Sequence, residues 1–435
     1  MDDALVPRSS PRTIWTLIGV ESMSLLGSEI ARFGVSVWIY EATRSVGAFS
    51  ALLLANTVPG MIASPLAGSI VDRSSRKRVM IGAATVSLCG TLIVLAGAML
   101  GTLSMGMVVA GACLASVGEA FQFPALEATV PLMASEDDLP RYNGFLESGR
   151  AISMLAGPAI GGFLLGLTGL PGLLAIEVTT FVAATVVIAA MAIPRPRGSD
   201  DGDDEPVSLL ADSVYGVRWI YRHKALLKLL LVALFANFFI GVGSVLMAPY
   251  ALSFLSEREF GITNGLFGGG VFVGGIAYGL LARRFSNVQQ FFAGALACGA
   301  VYVAYGFSRD LYSLGAMNFL FALAMTITNA AIMTVWQTKV PEDVQGRVLA
   351  TMFMLVELIV PVSYVVSGPL SERLVPRVLA ATGTELWGGG LTAEIGALFS
   401  VMGVVLVLGF ALATMVRDIR EIEADDEAPA AEPAA

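Results

Sequence analysis

Five ionisable residues lie deep inside apolar stretches of this chain: Glu21, Glu29 and Arg32 in the first stretch, Glu119 in the fourth and Glu357 in the eleventh. A charge at the centre of a membrane-embedded helix costs roughly 2.5–3.5 kcal/mol on insertion scales, so it normally meets a partner or a wet cavity. Glu29 and Arg32 are three residues apart and hence neighbours on one helical face, with Glu21 within about 80° of the same stripe. The chemistry open to them is proton exchange: a carboxylate takes up a proton and releases it when Arg32 or a cationic ligand approaches. Glu29 and Glu119 are the carriers this reading selects, and its rival is a static Glu29–Arg32 pair that fixes the first helix. Other chemistry lacks its parts. The single histidine, His223, has no ligating neighbour in sequence reach, and zinc-protease, serine-hydrolase and phosphate-loop motifs are all missing. Cys89, Cys113 and Cys298 all fall in apolar stretches, which supports neither a disulfide framework nor a metal site. The expectation is a protein that is not an enzyme, with no cofactor and no metal.

The elements that must position these charges follow from composition. Of 435 residues, 56% are apolar and 14% charged, against roughly 45–50% and 25% in soluble domains, so lipid is the expected solvent. The expected class is an all-α membrane protein with twelve transmembrane helices, over 13–40, 47–71, 79–100, 104–131, 143–167, 172–193, 225–250, 262–282, 289–308, 311–337, 347–371 and 391–416. The first is too charged and too long for a cleaved signal peptide and is expected to stay in the mature protein. With both termini in the cytoplasm, about 19 of the 26 basic residues fall inside, about 5 outside and about 2 within helices, as the positive-inside rule requires.

The expected domains are an N-terminal six-helix bundle (1–193), a cytoplasmic linker with an amphipathic helix (194–224), a C-terminal six-helix bundle (225–416) and an acidic cytoplasmic tail (417–435). The linker carries Asp200, Asp201, Asp203 and Asp204, whose spacing lacks the bidentate glutamate of a calcium loop. Further on, Leu210, Val214, Val217 and Tyr221 recur at helical spacing, which suits a helix lying along the interface. The halves repeat at an offset of about 206–210: Glu136 to Arg141, Gly157, Gly161 and Gly162 align with Glu342 to Arg347, Ser363, Ser367 and Gly368. A parallel repeat of this kind implies two six-helix units related by an axis along the membrane normal.

The turn after the second helix holds Gly68, Asp72, Arg73, Arg76, Lys77 and Arg78, one acid among four bases. It resembles the signature loop of the major facilitator superfamily, with Ser75 where that pattern has glycine. The resemblance implies a cytoplasmic latch in which Asp72 accepts hydrogen bonds from a helix end and a nearby arginine, a role for which Arg150 is a candidate; Glu127 and Glu147 lie near the same end. The fifth helix carries Gly157, Pro158, Gly161 and Gly162, preceded by Ser153, and is similar to the antiporter motif of exporter branches. Small residues at this spacing also let helices pack closely. Tyr40 to Thr43, Pro59, Pro65, Phe123 to Ala125, Gly346 and Arg347 extend the resemblance to a subgroup of macrolide-efflux and enterobactin-exporter-like proteins. It implies a central cavity bordered by helices one, four, seven, ten and part of eleven. Trp38, Phe121, Phe123, Phe235, Asn237, Asn329 and Trp336 are the candidates to line a substrate site, and Glu177 is read as interfacial, close to the external end of helix six.

The expected function is secondary transport, as proton-coupled export of a small amphipathic compound such as an antibiotic or siderophore-like metabolite. The expected setting is a monomer in the plasma membrane, with protons and the bilayer as partners and no nucleic acid. An uptake symporter on the same fold and a receptor or scaffold without transport are the alternatives.

Overall fold

The computed structural model describes residues 10–135, 138–193, 209–382, 387, 390–420 and 422, and the described residues form helices and connecting turns with no strand. In chain order the helices are α1 (Pro11–Thr43), α2 (Val46–Arg73), α3 (Arg76–Met99), α4 (Met105–Met133), α5 (Leu139–Ala190), α6 (Leu209–Arg222), α7 (Lys224–Ala251), α8 (Glu257–Leu281), α9 (Asn287–Tyr305), α10 (Leu311–Lys339), α11 (Glu342–Pro369), α12 (Val375–Thr382), α13 (Gly390–Ala413) and α14 (Arg417–Arg420). A π-helical turn, Leu370–Leu374, joins α11 to α12.

Local chemistry sets the ends. Ser10 accepts from the Thr13 amide and Pro11 occupies the first turn of α1, where its missing N–H is no loss. Ser45 and Ser104 cap α2 and α4 in the same way. Ser286 with Gln289, and Asp310 with Ser313, form reciprocal capping boxes on α9 and α10.

Among the described residues, ten helices are long and apolar enough to cross a membrane. As one straight helix the 52 residues of α5 would extend about 78 Å, more than twice a hydrocarbon core of roughly 30 Å. Gly169, at φ 65° and ψ 179°, breaks it into limbs 139–168 and 170–190, and only glycine visits that conformation readily. The two expected spans over 143–167 and 172–193 are therefore one element turned back at a single residue. α1 is 33 residues long, carries Glu21, Glu29 and Arg32 in its middle and falls outside the ten. With α1 and the second limb of α5, the ten make the twelve expected crossings. Apolar side chains face outward along them, Ile62 and Phe272 each at 71% exposure, as lipid solvent permits.

Two compact units divide the chain. The first comprises Met1–Glu205 with Leu255–Gly265, the second Pro206–Phe254 with Leu266–Ala435. In the first unit, Ile14, Leu17, Met80, Ala125, Met133 and Ile188 belong to one buried cluster. In the second, Leu229, Phe291, Trp336, Val348 and Ile419 do the same. The internal packing repeats: Gly157 on α5 meets Glu29 on α1, and Gly241 on α7 meets Ser363 on α11. Gly118 on α4 faces Ser87 on α3, and Gly294 on α9 faces Thr328 on α10. The sequence repeat is thus also a repeat of helix contacts, with small residues admitting close backbones at equivalent crossings.

Candidate functional site

Glu119 lies midway along α4, and Gln122 one turn on shares its face. Both meet α1. The Arg32 guanidinium donates to Glu119 Oε1 at 2.5 Å and lies 3.6 Å from Glu29 Oε1 on its own helix. Gln122 Nε2 donates to Glu21 Oε1 at 2.7 Å, and Glu21 is 9% exposed. Arg32 and Glu119 keep 40% and 46% of their side-chain surface accessible, so this is a half-covered pair rather than a sealed one. Close packing of α5 on α1 holds the frame. A methyl group at Gly157 would meet Glu29 Cβ at 2.4 Å and one at Gly27 would meet Thr180 Oγ1 at 2.3 Å.

Two cavities flank the pair inside the first unit. One, of about 90 Å³, is lined by Glu21, Ser24, Ser28, Glu119, Gln122 and Phe123 together with Arg150 and apolar residues such as Leu126 and Ile188. The other, of about 60 Å³, is lined by Ser28, Arg32, Asn56, Thr91, Glu119 and Glu177 among apolar neighbours. Either is large enough to hold water, and both offer it hydrogen-bond partners. Ser28 and Glu119 line both. Glu29, Glu119 and Glu177 face Arg32 with more acid than one guanidinium can balance, a surplus that water, protons or a cationic ligand can meet.

Glu177 corrects the sequence reading, which placed it at the interface. It is 9% exposed, Thr91 and Ser28 offer it hydroxyl donors, and it faces Arg32 from the second limb of α5. The Gly169 break explains the error: the second limb restarts at once, so Glu177 lies about two turns, roughly 10 Å, inside it. The acid's distance from Gly169 and Pro171 was the available signal. Gln122, Thr91 and Ser28 carried none, being ordinary polar residues in apolar helices.

The expected gate residues separate into different jobs. Arg150 lies 3.1 Å from Glu147 and 3.6 Å from Glu127, with its guanidinium 3.4 Å from the Phe123 ring centre. Lys77 donates to the carbonyls of Ala189 and Met191, at 2.6 and 2.7 Å, and so caps the end of α5 within its own unit. The backbone of Asp72 and Arg73 ends α2, while their side chains lie outside the described residues, and with them the proposed latch acceptor. Arg76 Nε is buried with no hydrogen-bond partner among the described residues, and a side chain at Gly68 would meet open space. Gly161 packs on Ile30 and Phe33, and Gly162 on Glu257 and Gly261, next to Pro158. Ser153 donates to the Ser22 carbonyl at 3.2 Å.

Of the expected lining residues, Phe123 borders the first cavity, while Trp38 and Phe121 are half-buried. In the second unit, Phe235 packs edge-on against Phe239 and Phe410. Asn237 bonds back to the Ala233 carbonyl at 2.9 Å, and Asn329 and Glu357 are exposed. Trp336 is 1% exposed and belongs to a buried cluster of the second unit that also draws on α7 and α9 residues such as Leu229 and Phe291. His223 stacks on Trp219 at 3.7 Å and sets the start of α7, as a surface residue does. The acidic linker residues Asp200 to Asp204 and the tail after Ile422 lie outside the described residues.

Comparison with known proteins agrees with this architecture. Macrolide efflux protein A of Streptococcus pyogenes is 24% identical over 422 residues, covering 94% of this chain and 96% of that protein. The multidrug efflux pump Tap of Mycobacterium tuberculosis is 24% identical over 350 residues, covering 78% and 83%. Among solved structures, a bacterial homologue of the human lysosomal transporter Spinster superposes with a TM-score of 0.72 at 15% identity, covering 97% of this chain and all of that one. The POT family transporter PepTSo gives 0.70 at 11% identity, covering 96% and 99%. Twelve crossings in two repeated units, efflux-pump relatives and a family profile matched over residues 17–362 lead to one assignment: the chain belongs to the Major Facilitator Superfamily, a family of membrane transporters.

Proposed function

We propose that this transporter exports a small amphipathic compound, of the size and character of a macrolide or a hydrophobic cation, in exchange for protons. The observation that carries the reading is the Arg32–Glu119 pair, placed midway along the membrane-spanning helices amid surplus carboxylates and flanked by cavities. Protonation of Glu119 removes the charge that holds Arg32, and an arriving cation or a returning Arg32 expels the proton. Charge state and helix contact are thereby coupled, as antiport requires. The names of the macrolide and multidrug relatives favour outward movement, and Gly157, Pro158, Gly161 and Gly162 supply the matching exporter-like motif. The two matched units, acting as domains 1–193 and 225–416 joined by the linker 194–224, would expose the site alternately to the two sides. Basic residues between helices, Arg76 to Arg78, Arg283, Arg284 and Lys339 among them, put both termini in the cytoplasm of a plasma-membrane protein. All groups this cycle uses come from one chain, so a monomer suffices, with no cofactor and no metal.

The test is reconstitution in vesicles holding a pH dye. A macrolide, or a fluorescent hydrophobic cation, should drive proton movement through the wild-type protein and be concentrated into everted vesicles in the direction of export. Glu119→Gln should abolish the proton signal. Net movement in the opposite direction, or no substrate-dependent proton flux with any compound, overturns the proposal.

A further inference from the structure

Glu177 and Glu21 have no role in a simple Arg32–Glu119 switch, yet each is a buried acid that lines a cavity also bordered by Glu119. Their placement is ordered along the bundle. Glu21 is eleven residues before Arg32 on α1, about 16 Å nearer the Pro11 end. Its cavity is lined there by Arg150 near the start of α5 and Ile188 near its finish. The Glu177 cavity runs the other way, past Val35 on α1, Leu52 near the start of α2, Val94 near the end of α3 and Val108 near the start of α4. The Arg32–Glu119 pair stands where the two meet, since Glu119 and Ser28 belong to both walls.

We infer that the first unit contains a two-chamber proton relay, in which Glu177 in one chamber and Glu21 in the other exchange protons with Glu119, and Arg32 is the movable counter-charge between them. The inference rests on the proton-coupled reading above and assigns it a route.

The steps balance as proton transfers alone. With Glu177 toward the external side, as cytoplasmic termini require, a proton carried as hydronium from the external solution reaches the second cavity and binds Glu177, leaving a neutral water. It passes through that water to Glu119, breaking the Arg32–Glu119 hydrogen bond and leaving the guanidinium to Glu29 and the now ionised Glu177. From Glu119 the proton crosses the first cavity to Glu21, and Arg32 returns to Glu119. Glu21 then releases it to water on the cytoplasmic side. Gln122, which donates to Glu21 and whose Oε1 is buried without a partner, can take a hydrogen bond from a water entering that chamber. The charged groups facing the route are Glu21, Glu29 and Arg32 from α1, Glu119 from α4, and Arg150 and Glu177 from α5. From α2 and α3 the linings carry only neutral polar groups, among them Asn56, Ser87 and Thr91.

The experiment compares two readouts in vesicles: substrate-driven proton flux, and substrate exchange at equal pH on both sides, which needs no net proton movement. Glu177→Gln and Glu21→Gln should each lose the flux while keeping the exchange, and Glu177→Asp should restore part of it. A purely structural role for Glu177 would instead impair both readouts together. Flux that persists in either glutamine variant overturns the relay while leaving proton coupling intact. A wild-type chain with exchange but no proton flux sinks the underlying reading, a distinguishable result. Should Glu177→Gln fail to fold, Val35→Phe, which narrows the second chamber, replaces it: loss of flux with exchange kept supports the relay, and unchanged flux overturns it.

Discussion

A guanidinium shared by carboxylates from different helices ties those helices together through charge, and the cost of losing one partner depends on burial. Arg32 and Glu119 are about 40–46% accessible, so removing one falls short of the 3–5 kcal/mol typical of a sealed pair and is expected to cost about 1–3 kcal/mol. Arg32→Met should therefore lower the unfolding temperature in detergent, and adding Glu119→Gln should recover part of the loss by removing the stranded acid. A double variant less stable than Arg32→Met alone would contradict this. At the same scale, Lys77 supplies charge-assisted bonds to two carbonyls at the end of α5. Lys77→Ala should destabilise the first unit by about 1.5–3 kcal/mol, read as the same thermal shift. Legibility at this scale was uneven. The Glu29–Arg32 neighbourhood is visible as a three-residue spacing, whereas the reach of Arg32 to Glu119, 87 positions away, depends on which faces of α1 and α4 meet.

At the scale of elements, glycines decide how closely helices approach. Gly157 lies against Glu29 Cβ, so Gly157→Val should push α5 from α1, disturb the Glu29–Arg32 geometry and cost about 1–3 kcal/mol from overpacking. A variant of wild-type stability and transport would show that the crossing is looser than described. The C-terminal end of the second unit is tied differently. Lys228 donates to Asp418 at 2.5 Å, and the lysine's hydrogen bond and charge hold the Asp418 carboxyl below its usual 3.8. A depressed folded value means that the tie contributes fully above the ordinary aspartate range and is lost as pH falls through the folded value. Hydrogen-exchange protection at Arg417–Arg420, measured against the intrinsic rate at each pH, should thus fall on acidification below about pH 4, and Asp418→Asn should remove that dependence. The interruption near Gly169 was legible as the gap between the spans 143–167 and 172–193, whereas the immediate restart of the helix after it and the π turn at Leu370–Leu374 were not. Hydropathy sees apolar length, while the direction of the chain at one residue rests on a backbone angle.

For the whole molecule, orientation is the claim most open to direct measurement. With cytoplasmic termini, a cysteine placed at Thr102 in the α3–α4 turn should react with an impermeant maleimide added outside cells. One at Ser75 in the α2–α3 turn should react only after the membrane is opened. The reverse pattern would invert the direction of the proton route and of the transport proposed here.

By itself the sequence determined the solvent, the number of crossings and the duplication, because each is a sum over many residues: apolar length and recurring small-residue spacing. It also marked Glu21, Glu29, Arg32 and Glu119 as costly charges that require compensation. Tertiary structure decided which compensation each receives. Gln122 took Glu21, Glu119 took Arg32, Glu177 moved from the interface to the cluster, and Trp336 went to the core. The physical reason is that hydrophobicity acts additively along a chain, whereas an ion pair or a cavity wall depends on the rotation and crossing of separate helices within an ångström or so, which packing at residues such as Gly157, Gly27 and Gly169 sets.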